Sequence, residues 1–388
     1  MSADLVYDVI VVGAGVEGSA SAENLSKRDG IRVLLLEQFP LPHSRGSSHG
    51  QTRITRRAYT DAFYTQMMDF CSKYWTRLQE TSGQDIFRQV GYLAIGAIGG
   101  EFLKENIHCM TVNNAPYTLL QPQDFRRKYP MLRFADDIGG LLDPDGGVLM
   151  ADKILLAMRK SFLSHGGTLR DGERLEQIVP GETIEVQTNK GRHRGKSLIL
   201  CCGPWTNQVL APLNLRLPLK PQRISVCYWR ERESGSHSPQ KLPTFLDDRC
   251  CDGHCIYGIP SLEYPGHVKL CLHYGPEIDA ELRDVPNTDY VLRLLKDYVR
   301  DKFPGLEYEP SIVESCVYTL TPDCHFLLDR HPAWSNIVIG AGFSGHGFKL
   351  SPAVGKILAD LALDVKTHDF DLTPFKLSRF GSANKANL

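Results

Sequence analysis

The chain has no apolar run near the roughly 20 residues that a membrane-spanning helix needs. It also has no excess of either charge, since 44 Lys and Arg against 45 Asp and Glu leave a formal net charge of −1. The first lack points away from a membrane protein, and the second gives no sign of a nucleic-acid or membrane-surface partner. There is no internal repeat and no low-complexity tract. A disulfide framework is not expected either, because the 11 cysteines are odd in number and irregularly spaced. "MSADLVYDVIVVGAG" has no basic segment ahead of its apolar run and no small-residue cleavage site, so it reads as a first strand and the thiols are expected to be reduced. "CCDGHC", Cys250 to Cys255, lacks a second well-spaced ligand pair, and no metal site is expected there.

What remains is a chain of 388 residues, enough for about two domains. Residues 7–37 form the clearest unit: an apolar strand, a glycine turn, a small-residue helix and a second apolar strand ending at Glu37. Gly13, Gly15 and Gly18 make the G-x-G-x-x-G pattern, which supplies a tight turn, close approach of a pyrophosphate and close helix–sheet packing. The helix start offers free N–H groups to phosphate, and Glu37 can accept from ribose hydroxyls. A dinucleotide follows from this spacing, without a choice between NAD and FAD. "KSLILCCGPWTNQVL" and "NIVIGAGFSGHGFKLSPAVGKILADLAL" repeat the strand–glycine–helix order, the latter with Pro352 in its first helical turn. Between these units "QRISVCYWR", "CIYGIP" and "HVKLCLHYG" alternate as antiparallel strands do. The expected organisation is a discontinuous nucleotide domain, 1–88, 151–219 and 320–388, with a sheet-based substrate domain, 89–150 and 220–319.

Alternation also sorts the side chains that could carry chemistry. In "HVKLCLHYG" Lys269, Cys271 and His273 share one face, opposite Val268, Leu270, Leu272 and Tyr274. In "ESCVYTLTPDCHF" Glu314, Cys316 and Tyr318 share a face, and Cys324 has the same parity. "SSHGQTRITRRAY" brings His49, Arg53, Arg56 and Arg57 close behind Glu37, a basic loop suited to an anionic substrate or a pyrophosphate. Lys349 in "GFSGHGFKL" stands at an expected helix start, where a cation opposes the helix dipole and local stability gives it no reason to be.

These residues carry a resemblance. The glycine fingerprint, "PHSRGSSHGQTRI", "GPWTNQ", "ESCVYT" and "NIVIGAGFSGHGFKLSP" together resemble the monomeric sarcosine oxidase family of flavoproteins, nearest its animal peroxisomal branch, over nearly the whole chain. The resemblance implies an α/β fold, α+β overall: a Rossmann-like, glutathione-reductase-type FAD domain with a mixed or antiparallel catalytic sheet. It implies FAD, held covalently through an 8α-S-cysteinyl bond to Cys316. By the same resemblance Lys269 activates oxygen, while His273, Tyr257 and Tyr318 stand at the active site. Arg56 and Lys349 hold the substrate carboxylate, and His49 and Arg53 lie beside the flavin ring. The loop of Gly342, Gly345 and Gly347 presents its positive end to the flavin. The implied reaction is oxidation of a secondary amino acid (sarcosine, L-pipecolate or L-proline) to an imine with O2, releasing H2O2; sarcosine would give glycine and formaldehyde. A flavin dehydrogenase serving a carrier protein and a non-catalytic flavin-binding protein are the alternatives. A monomer is implied. Ala386, Asn387 and Leu388 resemble a variant peroxisomal signal, with an import receptor as its reader.

Overall fold

The computed structural model describes residues 5–284 and 289–381. Ala386, Asn387 and Leu388, on which the import-signal expectation rests, lie outside the described residues, as do the side chains of Cys250 and Cys251. The nine cysteines whose side chains are described are free thiols.

The first strand runs Val6–Val12 and pairs in parallel with Val33–Leu36 on one side and Gly191–Leu200 on the other. Ile337–Ala341 extends this sheet in parallel beyond Gly191–Leu200, and Thr168–Arg170 extends it beyond Val33–Leu36. Its core strands read as unbroken apolar runs because both faces are covered. Val9, Val11, Val33 and Leu35 pack with the Val16–Ser26 and Ser351–Ala362 helices on one side. Ile10, Val12, Leu34 and Leu36 pack into a second apolar layer on the other. Each fully buried side chain of this size contributes about 1.5–3 kcal/mol. Gly18 fixes how closely helix and strand approach, since a Cβ there would lie 1.8 Å from the carbonyl oxygen of Gly13. Gly18→Ala would therefore push the glycine turn apart.

The second sheet has eight strands, in the order Leu306–Leu320, Lys220–Glu231, His267–Leu272, His254–Ile259, Thr244–Cys251, Tyr92–Ala97, Ile138–Asp143 and Thr118–Leu120. It is mixed: Thr244–Cys251 runs parallel to Tyr92–Ala97, and the other neighbours are antiparallel. Val268, Leu270 and Leu272 pack against Val291, Leu295 and Val299 of the Asp289–Lys302 helix, whose apolar residues recur at helical spacing. The opposite face carries Lys269 and His273 to a cavity, as the alternation predicts. A small third sheet joins Thr52–Thr55, Gly147–Met150 and Phe87–Gln89.

Two sequence expectations need correction. Cys324 does not share a strand with Cys316, because the strand ends at Leu320 and the chain turns, with Cys324 N–H donating to Thr321 O at 3.2 Å. Cys324 is exposed at φ 59°, so strand parity no longer applies to it. Lys349 is not at the start of an α-helix but in a 3-10 turn, Phe348–Leu350, that precedes Ser351–Ala362. Pro352 does occupy the first turn of that helix.

Candidate active site

A cavity of about 1200 Å³ extends from the glycine turn to the polar face of the second sheet. The site residues implied by the resemblance and the glycine pattern line it except Gly18, which stands behind the turn; Arg57 and Cys271 do not line it. At the nucleotide end Gly13 has φ 99°, and a Cβ on it would lie 2.3 Å from Cys201 O. The Val16–Ser26 helix starts at Gly15, which has no side chain to cap it; Ser48 Oγ takes the Val16 N–H at 2.9 Å, and the first turn borders the cavity. Glu37 accepts from Ala14 N–H at 2.9 Å and Phe39 N–H at 3.0 Å, with His43 at 3.3 Å. Burial alone pushes the Glu37 carboxyl up, but these partners outweigh it and hold it below the ordinary value.

At the other end Cys316 Sγ points into the cavity, 3.7 Å from Ser47 O. The carbonyl of the preceding Ser315 accepts from the Arg283 guanidinium at 3.2 Å and lies 3.0 Å from His49 Nε2. His49 also meets Gly46 O at 2.7 Å, and burial lowers its pKa. Arg53 donates to the carbonyls of Thr52 at 2.7 Å and Ser47 at 2.9 Å and lies 5.4 Å from the Phe348 ring. It thus braces the loop beside the cysteine.

His273 Nδ1 lies 3.3 Å from the Tyr318 hydroxyl, and the Tyr257 ring stands edge-on at 5.9 Å. Burial, then the charges of Lys349 and Arg56, lower the His273 pKa to about 4, so its ring is neutral at physiological pH. Tyr257 and Tyr318 are both pushed up by burial and stay phenols. Gly345, at φ 78°, lets the following loop press on this group: a Cβ there would lie 2.5 Å from the Tyr318 ring and 2.8 Å from His273. Gly342 and Gly347 flank it in the same loop.

Three basic side chains, Arg53, Arg56 and Lys349, lie close to these rings. Arg56 stacks 4.1 Å from the Tyr59 centroid and 5.0 Å from that of Tyr92 and donates to Ala58 O. Lys349 is 7% exposed, with Nζ 3.5 Å from His346 O and 5.7 Å from the Tyr59 centroid. Burial, then Arg56 and Arg53, drives the Lys349 pKa well below its ordinary value. Among the described residues no carboxylate forms an ion pair with Arg53, Arg56 or Lys349. Arg57, the next residue along, instead pairs with Asp69 at 3.3 Å and Asp145 at 3.4 Å, and takes no part in the cluster. Lys269 differs again: its Nζ is 3.1 Å from Glu263 Oε2 and 3.3 Å from Thr52 Oγ1.

Sequence reasoning missed Glu17, Glu263 and Arg283. Glu17 is fully enclosed at the first turn of the nucleotide helix, one oxygen has no partner, and burial raises its pKa to about 8. Glu263 and Arg283 reach their partners from turns, where no periodic pattern marks a side chain as inward.

A family model described as FAD dependent oxidoreductase matches residues 8–361. The Homo sapiens protein named peroxisomal sarcosine oxidase is 46% identical over 387 residues, covering 99% of this chain and 98% of that protein. The monomeric sarcosine oxidase of Bacillus sp. (strain NS-129) is 32% identical over 382 residues, covering 96% and 97%. A solved structure of NikD, described as an unusual amino acid oxidase essential for nikkomycin biosynthesis, superposes with a TM-score of 0.81 at 26% identity, covering 96% and 97%. The residues present suit FAD: the helix start bordering the cavity and the bare backbone at Gly13 and Gly15 leave a berth for the pyrophosphate, and Glu37 is a carboxylate lining that berth. The same cavity is lined by Cys316, Lys269 and Lys349. With the family match spanning most of its length, the chain belongs to the FAD dependent oxidoreductases, in their sarcosine oxidase group, and is an FAD-dependent amine or amino-acid oxidase.

Proposed function

We propose that the enzyme oxidises secondary amino acids (sarcosine, L-pipecolate and L-proline) at the carbon–nitrogen bond. The amine loses two electrons and two protons to give an imine, and O2 takes up both pairs to leave as H2O2. Sarcosine then yields glycine and formaldehyde once water adds to the imine. The observation that carries this reading is the cluster of basic side chains without a counter-ion, in which a bound anion would favour the charged form of Lys349. Lys349 is buried and Arg56 half-buried beside neutral His273, and a substrate carboxylate supplies the missing negative charge. Clamping that carboxylate orients the rest of the substrate, which is how a remote charge contributes to rate.

Bound FAD supplies the two-electron acceptor. The chain's own residues set the geometry around it. Cys316 Sγ is the proposed point of 8α-attachment, with the neighbouring Ser315 carbonyl accepting from Arg283 and lying beside His49. Arg53 holds the loop at the flavin ring. Neutral His273 and the phenols of Tyr257 and Tyr318 line the substrate space without adding a charge that would compete for the carboxylate. Lys269, on the second sheet, places a cation where O2 acquires negative charge. The loop of Gly342, Gly345 and Gly347 offers backbone N–H groups to the flavin edge.

The same reading assigns 1–88, 151–219 and 320–388 to the cofactor domain and 89–150 and 220–319 to the substrate domain. It places the enzyme in the peroxisome as a monomer, with Ala386-Asn387-Leu388 read by the import receptor; the relative named peroxisomal supports the location. The test is a panel of sarcosine, L-pipecolate, L-proline and primary amino acids scored by H2O2 release. Peroxide from secondary amino acids is expected. Electron transfer to a dye without peroxide under air would contradict the reading.

A further inference from the structure

Lys269 enters the cavity already paired. Its side chain and that of Glu263 are 6% and 3% exposed, and the charged atoms are 3.1 Å apart. Glu263 is itself fixed from several sides: the Thr52 hydroxyl donates to Oε2, the Tyr228 hydroxyl donates to Oε1 at 2.9 Å, and Gln51 N–H reaches Oε1 at 3.3 Å. The Tyr228 hydroxyl is also 3.3 Å from Glu314, whose other oxygen accepts from Tyr264 at 2.8 Å. Tyr228 has one proton for two carboxylates, and the shorter contact is to Glu263. Burial would raise the Glu263 carboxyl, but Lys269, Thr52 and Tyr228 outweigh it and hold it below its ordinary value. It is therefore a carboxylate, not an acid.

The groups facing Lys269 come from every element packed against it. Tyr228 lies directly across one strand pair and Ile259 across the other. Thr52 approaches from the third sheet, Glu263 from the turn ahead of the strand, and Glu314 stands behind Tyr228. Cys271, the next residue on the same face, is a thiol that burial keeps protonated. Glu263 is thus the carboxylate in direct contact with this ammonium. A buried ammonium without a carboxylate favours its neutral form, and a neutral amine offers no field to developing negative charge.

We propose that Glu263 is a positioning residue of the oxygen half-reaction: it keeps Lys269 charged and aimed into the cavity, and Thr52 and Tyr228 hold the carboxylate in place. This rests on the role proposed above for Lys269. The test measures the reductive and oxidative half-reactions separately in holoenzyme across about pH 6 to 9, around the range where a stranded ammonium would titrate. Wild type should show a level oxidative rate constant. Glu263→Gln should make it fall as pH rises, by up to about tenfold per pH unit above the new transition. The reductive rate should keep its wild-type profile. The visible absorption of the resting, oxidised Glu263→Gln enzyme should shift through the same transition, because a charge beside the cofactor is lost. Glu263→Asp, which restores the charge on a shorter arm, should bring the profile back towards level, and serves if the glutamine variant does not fold. A slow oxidative step in Lys269→Met together with a level profile in Glu263→Gln would overturn the role of Glu263 and leave that of Lys269 standing. An unchanged oxidative step in Lys269→Met would overturn the reading of Lys269 itself.

Discussion

Two buried lysines look into one cavity, and they are held in opposite ways. Lys269, 5% exposed, has a carboxylate 3.1 Å away; Lys349, 7% exposed, has two arginines for charged company. Burial costs both ions their hydration. Glu263 offsets that cost for Lys269 with a carboxylate that belongs to the chain itself, whatever else is bound. Nothing among the described residues does so for Lys349, whose pKa falls accordingly. The difference supports the roles proposed for the two lysines: the one without a carboxylate for the substrate anion, and the paired one for a step in which charge appears only transiently.

The contrast presumes a cofactor pinned between the two, so its most severe test is Cys316. Cys316→Ala should abolish covalent flavin, leaving the acid-precipitated protein colourless where wild type stays yellow; colour that survives the substitution would place the attachment elsewhere. Next in size is Lys269→Met, expected to slow the oxidative half-reaction by about 10²–10³-fold, the usual scale for removing one charge-stabilising group, with little change in reduction by substrate. Stopped-flow traces under O2 and under argon separate the two. Arg56→Gln should show the reverse pattern, weakening binding of a substrate carboxylate by roughly ten- to a hundredfold, as removal of a charge-assisted contact does, with reoxidation intact. The smallest effect concerns stability. The His273 pKa is about 4 in the folded chain, below the ordinary value. Between the two the unfolded chain binds a proton that the native one does not, so stability falls as pH drops through that window, by on the order of 1–3 kcal/mol. Thermal melts of His273→Gln should lose this acid slope.

Much of this was legible in the sequence for identifiable reasons. The nucleotide turn is local, so Gly13, Gly15, Gly18 and Glu37 declare themselves within one βαβ unit. Lys269 and His273 were legible because a strand alternates and its other face is plainly apolar. Cys324 misled because parity was carried past Leu320, where the strand had ended. Lys349 was noticed as a cation badly placed for a helix dipole; the structure replaces the helix start with a 3-10 turn and gives the better reason, a side chain turned into the cavity. Glu263 was illegible. It stands six residues before Lys269 in a turn, and only folding back of that turn brings carboxylate to ammonium. Tyr228 lies in the alternating stretch "QRISVCYWR", where nothing in the pattern singles it out, yet its hydroxyl links Glu263 to Glu314. Glu17 sits inside the glycine fingerprint, where the pattern leaves its residue type free.

The most direct test of the contrast compares sarcosine with its uncharged amide, sarcosinamide, binding to wild type, Lys349→Met and Lys269→Met under anaerobic conditions. Lys349→Met should bind sarcosine about ten- to a hundredfold more weakly while its affinity for the amide is unchanged, and Lys269→Met should alter neither. Equal losses for carboxylate and amide in Lys349→Met, or a selective loss of the carboxylate in Lys269→Met, would contradict the assignment of the unpaired lysine to the substrate and the paired one to oxygen.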